Sequence, residues 1–349
     1  MKLASVISEY YDVFLARYND MVLPSHMAAL DRIRHCRTPE AGEVFVGCSD
    51  CNHTDWRPVS CGHRHCPQCQ NHEGSQWIDR QQNKLLPVQY FMVTFTLPCE
   101  FRAVTYRHQK IVYAILFSCI ADILKDFARN PRHLGAEIGM TMVLHTHNRK
   151  LDFHPHVHVV VPGGGVDKLR RQWKKKKGRY LFNHKALANV FRARFLDAMT
   201  NAGLPIPKGV QPEWVVDCAN VGKGITALKY LSRYLYRGVI SEKNIVSNEN
   251  GLVTFKYVES KTGEIRYRTL KGEAFLHLIM QHVLPKGFRR VRDYGFLHSN
   301  AKKLLFLVQL ILHVKIKKSK LRPRPVFKCP CCKSPMKIIG FRPAGWVPI

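Results

Sequence analysis

Apolar residues recur along this chain with two different periods, and the switches between them outline its elements. Before Cys36, steps of three and four residues predict two amphipathic helices; helical spacing returns around Gln76–Leu86 and over Arg107–Ala128, as one helix or two. Val88–Leu97 is instead a continuous run of β-formers closed by Pro98, the pattern of a buried strand. Gly139–His147 and Phe153–Val161 flank the turn-like Asn148-Arg149-Lys150 and predict an antiparallel hairpin. Leu252–Glu259 and Ile265–Leu270 predict a second hairpin across Lys261-Thr262-Gly263. The fold class these elements point to is α+β.

Two of the segments carry chemistry. His154-Pro155-His156-Val157-His158 runs into the β-formers Val159-Val160-Val161-Pro162 and stops at Gly163-Gly164-Gly165, so the histidines belong to a strand. Alternate strand residues share a face, which aims His156 and His158 at one point, with His154 on the same side. Neutral imidazoles ligate divalent cations, and two on one rigid strand leave coordination positions open for substrate. His145 or His147, on the facing strand of the hairpin, is within reach as a third ligand. The bland alternative is a strand with a polar histidine face. Further on, Ile225, Leu228, Leu231, Leu235 and Val239 form the apolar stripe of a helix that Gly238 would end. Tyr230 and Tyr234 share a face away from that stripe, flanked by Arg233 and Arg237. Core tyrosines join the apolar stripe; these two are displayed, either as a solvated face or for use.

A net charge of +30 and a pI near 9.9 predict a polyanionic partner, because phosphate contacts release counterions and the charge otherwise repels itself. The amino terminus lacks the basic-then-apolar order of an export signal, and the apolar stretches Ile111–Leu124 and Leu304–Val314 are short and interrupted. The expectation is a soluble, cytoplasmic, nucleic-acid-bound protein with no membrane role. The densest basic stretch holds Arg170, Arg171, Lys174, Lys175, Lys176, Lys177 and Arg179, with Trp173 and Tyr180 interleaved. Cations for phosphates and rings for bases suit single-stranded DNA; a solvated loop is the alternative.

Six of the twelve cysteines fall between Cys36 and Cys69, and in a chain without an export signal such clustering argues for metal over disulfides. Cys48-x2-Cys51 and Cys66-x2-Cys69 are separated by fourteen residues, a spacing that predicts one four-thiolate zinc site. Cys36, Cys61, His63 and His65 are candidates for a second. Arg57 and Arg64 would present charge to DNA from this module. Cys329-x2-Cys332, with Cys331 between, supplies half a zinc frame and no obvious second half.

In combination the motifs resemble the HUH endonucleases, named for histidine, bulky apolar residue, histidine. Within them they resemble the two-tyrosine rolling-circle transposases of the insertion-sequence-ninety-one family. His156-Val157-His158 matches the first motif and Tyr230 with Tyr234 the paired nucleophiles. Arg64-His65-Cys66-Pro67-Gln68-Cys69-Gln70 matches the amino-terminal zinc module, and the stretch from Val283 to Leu297 a further signature. The motifs stand in family order between about residues 25 and 297, and residues beyond 300 match less clearly. The resemblance implies an antiparallel-sheet catalytic core flanked by helices over 88–298. Around it fall a helical, zinc-binding, DNA-binding module over 1–87 and a basic helical tail with the cysteine cluster over 299–349. It also implies Mg²⁺ or Mn²⁺ at the histidines with His145 as third ligand and His154 as its competitor, and structural Zn²⁺ in the amino-terminal module. Transposition would proceed through 5′-phosphotyrosine on single-stranded transposon ends and target DNA, in the bacterial cytoplasm at the nucleoid.

Tyrosine has a pKa near 10, so as a nucleophile it needs activation by the metal, a base or nearby cations such as Arg233 and Arg237. No GxxxxGK[ST] loop occurs, which leaves duplex unwinding to supercoiling, a host helicase or the replication machinery. Three other readings use fewer of the features: a plasmid relaxase or replication initiator, a noncatalytic zinc-dependent nucleic-acid-binding protein, and a histidine-zinc hydrolase.

Overall fold

The computed structural model describes residues 1–69, 71–176, 178, 180–226, 239–259, 262–315 and 323–345. Its strands in chain order are β1 (Glu43–Cys48), β2 (Thr54–Pro58), β3 (Gln89–Thr96), β4 (Gly139–His147), β5 (Phe153–Pro162), β6 (Gly164–Asp167), β7 (Gln172–Lys175), β8 (Val216–Lys223), β9 (Ile245–Glu249), β10 (Leu252–Val258), β11 (Ile265–Lys271), β12 (Val291–Gly295) and β13 (Met336–Arg342). The expected hairpin is β4–β5, and it lies in the middle of a five-stranded sheet of order β12-β4-β5-β3-β8. All four pairings in that sheet are antiparallel.

Strand alternation gives this sheet two unlike faces. Phe91, Val93 and Phe95 of β3, Met140, Met142 and Leu144 of β4, and Val157, Val159 and Val161 of β5 share one buried core with the helices Gln109–Arg129 and His184–Asn201. Phe95 meets Phe191 edge-to-face with centroids 5.2 Å apart, and each such fully buried phenylalanine stabilises by roughly 1.5–3 kcal/mol. The period of two then sends His154, His156 and His158 to the other face. At one end that face is covered by the helix Asn71–Gln82, whose Trp77 joins Tyr90, Val143 and Val160. This helix stops before the expected Leu86. Pro87 disfavours helical backbone at Leu86, whose N–H instead donates to the Tyr90 hydroxyl at 2.9 Å. The Arg107–Ala128 pattern resolves into Arg102–Arg107 and Gln109–Arg129, broken at His108.

A second core gathers distant segments. The amino-terminal helix Leu3–Tyr18 lies on the helix Gly272–Met280, and both share buried residues with the sheet β11-β10-β9. The close approach needs Gly272, because a Cβ there would strike the Tyr10 ring. Tyr10 Oη donates to Asn248 Oδ1 at 2.6 Å, and Arg17 pairs with Glu273 at 2.9 Å. The second hairpin, β10–β11, is present and gains β9, which the sequence pattern did not indicate. The cysteine tail is not a separate unit: β13 pairs antiparallel with β1 and completes the sheet β13-β1-β2. Among the described residues no helix is long and apolar enough to cross a membrane.

Candidate metal centre and its cleft

Register assembles the histidine cluster. His145 of β4 stands opposite His156 of β5, and Val143 opposite His158, so three rings meet on one face of the sheet. Ring centroids are 5.1 Å apart for His145 and His156, 4.4 Å for His145 and His158, and 4.9 Å for His156 and His158. One nitrogen from each of the three lies within 4.8 Å of the others. The His154 ring stays outside that set, but its main chain takes part: His156 Nδ1 donates to the His154 carbonyl at 2.7 Å. A carbonyl can only accept, so in neutral His156 the proton sits on Nδ1 and Nε2 keeps its lone pair. Thr94 Oγ1, opposite His158 in the β3–β5 register, lies 2.9 Å from His158 Nδ1.

Burial keeps the rings uncharged. Desolvation pushes His156 down to about 4 and His158 to about 3, and lowers His145 well below the usual imidazole value, with repulsion from its neighbours adding to the effect. Three neutral imidazoles with nitrogens converging, two of them oriented through Nδ1, suit a divalent cation that keeps open positions.

The cluster opens into a cleft of about 720 Å³ whose lining includes Arg149, Ser241, Asn244, Lys256 and Tyr257. Sequence reasoning missed Lys256 and Tyr257, since nothing local marks a β10 residue as facing a strand a hundred positions earlier. Thr94 was missed for the same reason. Tyr230, Tyr234, Arg233 and Arg237 lie outside the described residues, as does Lys177.

Trp173 is half-buried and packs on Phe296 at 6.0 Å, beside a small core that includes Val166. Lys174 is tied to Asp167 at 3.1 Å and to the Gly135 carbonyl at 2.8 Å. Arg170, Arg171 and Lys175 are exposed, and Lys176 is half-buried. This hairpin follows the far end of β5, and the six residue steps from His156 to Pro162 span ~20 Å of strand.

The cysteines also regroup. Cys66 and Cys69 gather with Cys36 and Cys61, whereas Cys48 and Cys51 gather with Cys329 and Cys332. The expected single site of both CxxC pairs is replaced by two sets of four, because β1 carries Cys48 toward β13. His65 belongs to neither set. Its Nε2 accepts from the Leu284 N–H at 3.1 Å while Arg64 Nη2 donates to the Phe288 carbonyl at 2.7 Å, so the basic pair docks the cysteine module onto the Val283–Leu297 stretch. In the same stretch Asp293 accepts from Thr141 and Lys84, each at 2.6 Å, which braces β12 and β4.

The chain thus joins an imidazole cluster, set in a cleft on an antiparallel sheet, to a module of four clustered cysteines, and comparison with known sequences gives it a family. Residues 6–97 match the transposase zinc-binding domain and residues 139–304 match the family described as "putative transposase". The chain belongs to these transposases, of the IS91 type. It is 33% identical over 322 residues to the putative transposase y4qJ of Sinorhizobium fredii, covering 85% of this chain and 80% of that protein. It is 28% identical over 282 residues to the transposase for insertion sequence element IS801 of Pseudomonas savastanoi pv. phaseolicola, covering 75% of this chain and 68% of that protein.

Proposed function

We propose that this transposase cleaves and rejoins single-stranded DNA at the ends of its element through tyrosine, with His145, His156 and His158 holding a divalent cation. The observation that carries the reading is the convergence of three neutral imidazoles beside Lys256, Tyr257 and Arg149 in one cleft. Mg²⁺ or Mn²⁺ held there would stabilise charge that develops on the scissile phosphate. Arg149 and Lys256 offer cations to neighbouring phosphates and Tyr257 a ring for a base.

Tyr230 and Tyr234 are the nucleophiles in this reading. The phenolic oxygen bonds to phosphorus, the bond from phosphorus to the 3′-oxygen breaks, and the phenolic proton ends on that oxygen. The products are a 5′-phosphotyrosine and a free 3′-hydroxyl. Val239 and Ile240, the first described residues after the tyrosines, line the cleft. Bond energy is kept in the protein–DNA link, so joining is the reverse step and uses no nucleotide. Two tyrosines permit two linked transfers, as rolling-circle-like transposition requires. Zn²⁺ at Cys36, Cys61, Cys66 and Cys69 is structural: four sulfurs close its shell and stabilise a segment with little core of its own.

The test is incubation of purified protein with labelled single-stranded DNA from the element's ends and Mg²⁺ or Mn²⁺, resolved on a denaturing gel. A slow band that protease removes, and that is absent when both tyrosines are phenylalanine, is expected. Free fragments without attached protein would replace this reading with hydrolysis, and bound but intact DNA would replace it with a binding role.

A further inference from the structure

The first strand and the last cysteines meet at a place that strand transfer does not use. Cys48 and Cys51 form the turn between β1 and β2, and Cys329 and Cys332 the turn that precedes β13. Their four sulfurs lie within 4.8 Å of one another, with Cys48 3.4 Å from Cys332 and Cys51 3.5 Å from Cys329. Main-chain bonds shape both turns alike: the Cys48 N–H donates to the His53 carbonyl and the Cys329 N–H to the Ser334 carbonyl, each at 2.9 Å.

Contacts without sulfur place the same two segments together. Cys48 stands opposite Met336 in the β1–β13 register, and the Arg342 guanidinium lies 3.7 Å over the Trp56 ring. Gly42 has φ +94°, and a Cβ there would come within 2.9 Å of the Arg342 carbonyl. Yet the buried apolar content of this sheet amounts to Val44, Val46 and Met336 beside two of the cysteines. A three-stranded sheet with so small a core does not hold itself, and a tetrahedral ion closed by four thiolates would supply what is missing.

We propose that a second zinc, held by Cys48, Cys51, Cys329 and Cys332, clasps the carboxyl-terminal strand to the amino-terminal module. The chain segment from Cys51 to Cys329, which carries the histidine-bearing sheet, is thereby closed into a loop by one ion. Cys331 is exposed beside the clasp without belonging to it and provides an internal reference.

The experiment is a pulse of iodoacetamide on the full-length, zinc-loaded protein, with labelling at each cysteine read by peptide mass spectrometry. Cys331 and Cys99, exposed and outside both sets of four, should label as free thiols. Cys51 and Cys332 are exposed as well, but should label roughly tenfold or more slowly and gain reactivity together with Cys48 and Cys329 when zinc is withdrawn. Labelling of Cys332 at the rate of Cys331 while Cys48 and Cys51 stay protected would overturn the clasp and return that pair to Cys66 and Cys69. Zinc counting gives a second arm. The double variant Cys329→Ser, Cys332→Ser should lose one thiolate-bound equivalent and Cys331→Ser none; an unchanged count in the double variant also overturns the proposal. A misfolded variant would lose the Cys36 site too, and the labelling of the parent protein then decides.

Discussion

Replacing Thr94 by valine removes one hydroxyl, keeps the branched shape, and should weaken divalent-cation binding at the histidines by about 10- to 100-fold. The hydroxyl is 2.9 Å from His158 Nδ1 and holds a ring that is only 8% exposed. Without it the imidazole loses a contact that helps hold its orientation, and Nδ1 loses its Thr94 partner. If the free ring turns away and only the cation-bound state holds it with Nδ1 unsatisfied, a cost of roughly 1–3 kcal/mol at about tenfold per 1.4 kcal/mol gives the same range. The assay is Mn²⁺ titration followed by electron paramagnetic resonance at about pH 7.5, alongside covalent DNA capture as a function of Mn²⁺. Burial holds His158 down to about 3 and His156 to about 4, so both are neutral at that pH and a change in affinity would not report protonation. Capture should recover at saturating Mn²⁺, since the variant keeps every ligand. An Mn²⁺ affinity within about twofold of the parent's would refute the argument that Thr94 positions the site.

His145→Ala should abolish cation binding and capture, whereas His154→Ala retains the carbonyl that receives His156 Nδ1 and should change affinity by no more than about threefold; the reverse order, in the same titration, would make His154 the third ligand. Single Tyr230→Phe and Tyr234→Phe variants should reduce capture unequally, and ordinary capture by the double variant would end the nucleophile assignment. Gly272→Ala forces a methyl group into the Tyr10 ring and should destabilise by about 1–3 kcal/mol in thermal unfolding, with an unchanged midpoint showing that the two helices part at no cost. Burial, with His277 adding a smaller effect at His26, pushes His26 and His282 from the usual 6.5 down to about 4, so the unfolded chain takes up their protons first as pH falls. Stability should therefore be full above pH 6.5 and decline toward pH 4 by up to about 3 kcal/mol for each group, and denaturant melts that are flat across that window would show these rings to be solvated.

Local pattern determined much of this protein. Alternation along β5 is a property of the strand itself, so it put His156 and His158 on one side before any partner was known, and a turn of Asn148 to Lys150 between two strand-formers left an antiparallel hairpin as the simplest outcome. Each CxxC likewise settles that two sulfurs face one ion. What it leaves undetermined is the other half of the shell, and there tertiary structure decided. β1 pairs with β13, and Cys48 and Cys51 therefore meet Cys329 and Cys332 in place of the nearer Cys66 and Cys69. The β4–β5 register likewise sets His145, and not His147, against His156. At Trp173 an aromatic among lysines suggested a base-stacking surface, and the tertiary structure packs part of the ring on Phe296. A sequence carries the geometry of its own turns and strands because those depend on neighbours a few bonds away. Which surfaces then come together depends on contacts hundreds of residues apart, and no local period encodes them.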